Sequence, residues 1–157
     1  PRDVLVSGYY SQAYSHPEPS VGTEKYHDFV KNRAFALEST VDEYAIAQCD
    51  SVHEVYSRYI DLLISRHPNV HITKYEDMVQ DFETWLHALV EYCDFTVDDT
   101  LLGEFIQASN QLRPVKEDVN RHIRKGKAGD YKDKLKSETI DYIESKLAPI
   151  LTELGYS

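Results

Sequence analysis

Nine of the chain's 17 lysines and arginines fall within 24 positions, between Arg113 and Lys136. Inside that stretch runs His122-Ile123-Arg124-Lys125-Gly126-Lys127-Ala128-Gly129-Asp130-Tyr131-Lys132. Two glycines three residues apart allow the backbone to come close to a ligand, and the cations around them would neutralise an anion. Arginine offers a planar fork that matches phosphate oxygens, while lysine offers a compact point charge. The residues alone leave three readings open: a phosphate clamp, a solvated basic loop, or a nucleic-acid contact. The formal net charge of −10 disfavours a duplex nucleic-acid partner or an anionic membrane for the chain as a whole, so any anion site must be local.

Other constellations lead nowhere catalytic. Cys49 and Cys93 lie far apart without metal-ligand spacing, and read as buried free thiols in a reducing cytoplasm rather than as a disulfide. The histidines and carboxylates form no metal motif, so no metal is expected. Asp98-Asp99 and Glu117-Asp118 read as helix-start and loop charges rather than a carboxylate dyad. Tyr9-Tyr10 and the Tyr56, Tyr59 pair read as core or core edge before stacking platforms. No apolar run approaches the roughly 20 residues that span a bilayer, and no signal-peptide core is seen, so a cytoplasmic protein is expected.

The elements that must hold the loop are mostly helical. Arg2 to Tyr14 has one helical apolar face, with Asp3 where a helix N-terminus favours negative charge. Breakers from His16 to Gly22 make a loop, after which Thr23 caps a helix. Thr40 and Glu43 have capping-box spacing and open a long helix, with a possible break near Asp50-Ser51, that stops at His67 before Pro68. Asn69 to Tyr75 alternates between turn residues and predicts one strand. Phe82, Trp85, Leu86, Leu89, Val90 and Cys93 predict an amphipathic core helix, and another runs from about Asp98 to Ser109. Ser137 is expected to cap a last helix facing Ile140, Ile143, Leu147, Ile150, Leu151 and Leu154 inward and ending at Gly155.

A family resemblance narrows the readings. Arg124-Lys125-Gly126-Lys127-Ala128-Gly129-Asp130-Tyr131-Lys132 resembles the Arg-Lys-Gly-x-x-Gly-Asp-Trp-Lys signature near the C-terminus of cytosolic-type sulfotransferases. Those enzymes use 3′-phosphoadenosine 5′-phosphosulfate (PAPS). Tyr131 stands where the family has tryptophan. Pro1-Arg2-Asp3-Val4-Leu5-Val6-Ser7 resembles the Arg-Asn-Pro-Lys/Arg-Asp-x-x-x-Ser stretch, whose serine contacts the 3′-phosphate. The arginine that opens that motif would precede Pro1. Tyr75-Glu76-Asp77-Met78 is similar to the Tyr-Glu-Asp-Leu/Met block, whose tyrosine contacts adenine. Ser109 lies where the family places a further nucleotide-contacting segment, although Asn110 replaces its phenylalanine.

The resemblance implies an α/β fold. Residues 1–157 would be the C-terminal part of a single P-loop-like sulfotransferase domain, mostly helical with one or two strands of a parallel sheet. It implies that Ser7, Ser109, Arg124, Lys125 and Gly126 bind the donor nucleotide and that Tyr75 lies against its adenine. The reaction implied is sulfuryl transfer from PAPS to a small-molecule hydroxyl or amine acceptor. The phosphosulfate loop, its lysine and the catalytic histidine are expected upstream, because no phosphate-loop motif occurs and none of the seven histidines matches the base. Alone, such a part is expected to be poorly stable or to self-associate, so a homo-oligomer is allowed for. The alternative function is a non-enzymatic helical module whose basic loop binds an anionic partner.

Overall fold

A computed structural model describes residues 1–112, 114 and 116–156. The elements in chain order are α1 (Arg2–Tyr10), α2 (Glu24–Glu38), α3 (Val41–Tyr59), α4 (Tyr75–Gln80), α5 (Phe82–Tyr92), α6 (Asp99–Leu112), α7 (Tyr131–Lys134) and α8 (Ser137–Glu153). α1 runs on into a π-helical turn, Ser11–Ser15, and α3 into another, Ile60–Ile64. The chain divides into two compact units, Pro1–Val70 with Gly129–Ser157, and His71–Ala128.

The first unit is built on α3, which packs against both α1 and α8. The predicted inward stripe of α8 is found: Ile143, Leu147, Ile150 and Leu151 are buried, and Ile140 and Leu154 pack at their edge. They meet Leu5 and Val6 of α1, Ala45 and Cys49 of α3, and Tyr131 and Leu135 around α7. Burial pushes the Cys49 thiol up from its usual range, which keeps it protonated and inert.

Local signals set the helix ends. The Thr40 hydroxyl accepts from Glu43 N–H at 3.2 Å while the Glu43 carboxylate accepts from Thr40 N–H at 2.8 Å, the reciprocal box the spacing predicts. Those hydrogen bonds hold Glu43 below the usual carboxylate range. Thr23 caps α2, accepting from Tyr26 N–H. The loop before α2 is anchored by Arg33, which donates to the carbonyls of Gln12 and His16. At the end of α8, Gly155 takes φ 67°, its N–H reaches Thr152 O, and Tyr156 N–H reaches Leu151 O, a Schellman closure. Ser137 is not the cap: Lys136 precedes the helix and no side chain caps it. No break occurs at Asp50-Ser51, where Asp50 instead meets Lys146 of α8 at 3.2 Å. Tyr9 is buried, edge-on to Tyr10 and Tyr44, whereas Tyr59 is exposed.

The second unit is small and open. Asp81 caps α5 by accepting from the Thr84 amide and hydroxyl, and Asp98 accepts from Thr100 N–H just before α6. Both aspartates titrate below the usual carboxylate range because of these bonds. Phe82, Trp85, Leu86, Leu89 and Val90 share a face but are only half-buried, and Cys93 is exposed. The predicted core helix is therefore a covering helix, and Cys93 is not the buried thiol expected. Among the described residues of this unit only Leu102 is buried, as follows from how little apolar area a piece of this size can enclose.

The α/β expectation is overturned. Among the described residues there is no strand and no parallel sheet, and every regular element is helical. Asn69 to Lys74 is irregular chain, extended at Lys74 (φ −103°, ψ 141°), and Tyr75 opens α4. Alternation of side chains is a property of extended backbone, and it becomes a strand only where another strand completes the hydrogen-bond ladder.

Leu147 is fully buried where α8 meets α1 and α3, so Leu147→Ala should cost about 2–5 kcal/mol in chemical denaturation. A loss below about 1 kcal/mol would contradict this core.

Candidate functional site

The signature run divides at Ala128 and Gly129 between the two units. Its first part lies in the second unit, in a loop with little regular structure. Asp118 N–H donates to the Arg124 carbonyl at 3.0 Å, and Arg121 N–H donates to the Asp118 carbonyl at 3.2 Å. The Arg124 guanidinium is ion-paired with the Glu117 carboxylate, and its side chain is only 11% exposed. A backbone bond from Asp118 and a side-chain pair with the adjacent Glu117 therefore both close on Arg124, which fixes where the guanidinium lies. Gly126 has φ 59° and sits against Pro114 and Ile123. A Cβ there would meet only ordinary contacts, so backbone conformation rather than space favours glycine.

The second part lies in the first unit and is held by the chain's third residue. Asp3 Oδ2 accepts from Gly129 N–H at 2.7 Å, and Asp3 Oδ1 accepts from Tyr131 N–H at 2.9 Å. Gly129 has φ 79°, which turns the chain so that both amides face one carboxylate. Asp130 and Tyr131 are buried. The Arg2 guanidinium lies 4.9 Å from the centre of the Tyr131 ring and bonds Glu144 of α8 at 2.6 Å. Tyr131 is thus a packing residue whose ring carries a cation.

The expected site residues divide accordingly. Ser7 lies in the first unit, exposed on α1, and its hydroxyl has no hydrogen-bond partner among the described residues. Tyr75, Ser109, Arg124, Lys125 and Gly126 lie in the second unit. Arg124, Lys125 and Gly126 are together by chain continuity. Tyr75 is the first residue of α4 and is 45% exposed. Ser109 donates its hydroxyl to the Ile106 carbonyl at 2.8 Å, a bond inside its own helix that leaves only the oxygen's acceptor capacity. Arg113 of the basic stretch lies outside the described residues.

Sequence reasoning missed two carboxylates. Glu117 was read as a loop charge, and only its spacing from Arg124 hinted otherwise. Asp3 was read as a helix-start charge. It is in the first turn of α1, but it spends both oxygens on amides far along the chain. Asp98 and Asp118 behave as expected, accepting from nearby backbone N–H groups. Elsewhere in the first unit, Val55, Arg58, Tyr59, Leu62 and Leu63 line an open hollow of about 380 Å³ that contains none of the expected residues. Among the described residues no group of His, Cys, Asp and Glu could hold a metal, and no helix is long and apolar enough to cross a membrane.

A family model described as the sulfotransferase domain matches residues 1–154. The chain belongs to that family. The match takes in the Asp3 tie, the Glu117–Arg124 pair and the whole signature run, so these features belong to a sulfotransferase domain and its reaction class is sulfuryl-group transfer. No curated protein and no solved structure matches the chain.

If the Glu117 pair closes the sulfotransferase signature loop, Glu117→Ala should speed limited tryptic cleavage after Arg121 and Arg124 severalfold, read by mass spectrometry. Unchanged cleavage rates at both sites would show that the pair does not hold the loop.

Proposed function

We propose that this sulfotransferase domain uses PAPS, and that this chain supplies the 3′-phosphate and adenine side of the donor site. The observation that carries the reading is the run from Arg124 to Lys132, which resembles the family's signature and lies inside the matched domain, with left-handed glycines at positions 126 and 129. Arg124 and Lys125 neutralise the 3′-phosphate and the backbone at Gly126 approaches it, while Ser7, on the family resemblance, is a further candidate contact of the nucleotide. Tyr75 lies against the adenine face, and Ser109 offers its oxygen as an acceptor toward the nucleotide. The 3′-phosphate separates PAPS from AMP-like nucleotides, so these residues select the donor.

In the reaction the acceptor hydroxyl or amine attacks sulfur in line. The bond from sulfur to the phosphate oxygen breaks as the new sulfur–oxygen or sulfur–nitrogen bond forms. Adenosine 3′,5′-bisphosphate leaves, and the acceptor's proton passes to a base. Little covalent work falls to protein groups in such transfers, and positioning with charge neutralisation dominates, as in phosphoryl transfer. No residue of this chain is assigned as base or as the leaving-group cation. The acceptor is a small molecule, and the protein is assigned to the cytoplasm.

Arg124→Ala should weaken adenosine 3′,5′-bisphosphate binding by about 10–100-fold, the range for a charge-assisted contact, measured by calorimetry. Unchanged affinity would remove Arg124 from the clamp. A wild-type loop that binds inorganic anions and this nucleotide indifferently would instead favour the helical module with a basic anion-binding loop.

A further inference from the structure

We infer that Asp3 is a positioning residue of the donor site, its carboxylate fixing the Gly129–Tyr131 end of the signature against the helix that carries Ser7; this rests on the donor-site reading above. Four observations within the first unit carry it. Both carboxylate oxygens are used, one on Gly129 N–H and one on Tyr131 N–H, at 2.7 and 2.9 Å. Such bidentate, charge-assisted bonds fix direction as well as distance. Ser7 lies four residues after Asp3 on α1, one helical turn along the same side, so whatever orients Asp3 orients Ser7. Asp3's neighbour Arg2 meets the ring of Tyr131, so two adjacent side chains of α1 engage one turn, through its backbone and through its ring. Gly129 holds a backbone conformation that L side chains rarely adopt, and its N–H is one of the two that Asp3 receives.

Three consequences follow for the site. The amides of Gly129 and Tyr131 are committed to an internal anion, so they are not ligands of the nucleotide phosphate. The turn at Gly129, which ends the signature run within the first unit, is pinned to α1 by its backbone. The carboxylate itself is no nucleotide ligand and acts only through Ser7 and the signature backbone.

The test uses the full chain as wild type, Asp3→Asn and Asp3→Glu. Asparagine keeps the size and one acceptor oxygen but turns an NH₂ group toward one of the two amides; glutamate keeps the charge and displaces it by a methylene. Amide exchange is followed without nucleotide, and calorimetry compares adenosine 3′,5′-bisphosphate with AMP. Asp3→Asn should speed exchange at Gly129 and Tyr131 by about tenfold or more. It should also reduce the preference for the 3′-phosphorylated nucleotide by about tenfold, with Asp3→Glu intermediate. Faster exchange with an intact preference would overturn the positioning role and leave the donor reading standing. Equal losses for both nucleotides, or a variant that simply unfolds while Asp3→Glu retains full preference, would make Asp3 a stability residue and overturn the role as well. A wild-type chain with no preference for the 3′-phosphate would overturn the donor reading and the role together.

Discussion

Two backbone amides at the start of α7 end on one carboxylate at the start of α1. Leaving a buried amide unpaired costs about 1–3 kcal/mol and a part-buried one less, so Asp3 stabilises the turn around Gly129 by receiving both N–H groups. The rest of the first unit follows from that junction. Tyr131 and Leu135 can enter the core with Leu5, Val6 and the α8 stripe because the backbone leading into them is held. Arg2, placed by its neighbour, bridges the Tyr131 ring and Glu144, and so links the turn to α8. The chain's first helix and its signature turn are thereby one structural feature, although 126 residues separate Asp3 from Gly129.

The electrostatics of an acidic sulfotransferase domain pose the opposite problem. With a net charge of −10, the attraction that the proposed anionic donor requires cannot come from the overall field. It has to come from cations concentrated in one stretch and acting at short range, where screening is least effective. Glu117 contributes to that arrangement at a cost. It holds the Arg124 guanidinium in place, yet it presents a negative charge beside the arginine proposed above as a phosphate ligand. The fork of arginine has several N–H donors, so one edge can serve the carboxylate while others face a ligand.

Much of this was legible in the sequence where the determinants are local. The Thr40–Glu43 box and the Gly155 closure need residues only a few positions apart, and both are found. The α8 stripe was legible for the same reason, since helical period alone names its buried face. The signature is contiguous, and the family match extends over it. What failed depended on partners the local pattern cannot name. The alternation from Asn69 to Tyr75 specifies extended chain but not a neighbouring strand, and among the described residues none exists. The α5 stripe specifies a face but not enough apolar surface to cover it, so Phe82 and Trp85 stay half-exposed. Asp3 was assigned to its own helix because its true acceptor role is set by residues that only folding brings near.

On the donor-site proposal, this sulfotransferase chain recognises a 3′-phosphorylated adenine nucleotide. The direct measurement is a calorimetric titration of the wild-type chain with adenosine 3′,5′-bisphosphate and, separately, with AMP at the same ionic strength. The bisphosphate should bind saturably and one-to-one, more tightly than AMP, with an affinity that falls as salt rises. Equal affinity for the two nucleotides, or no binding of either, would contradict the proposal.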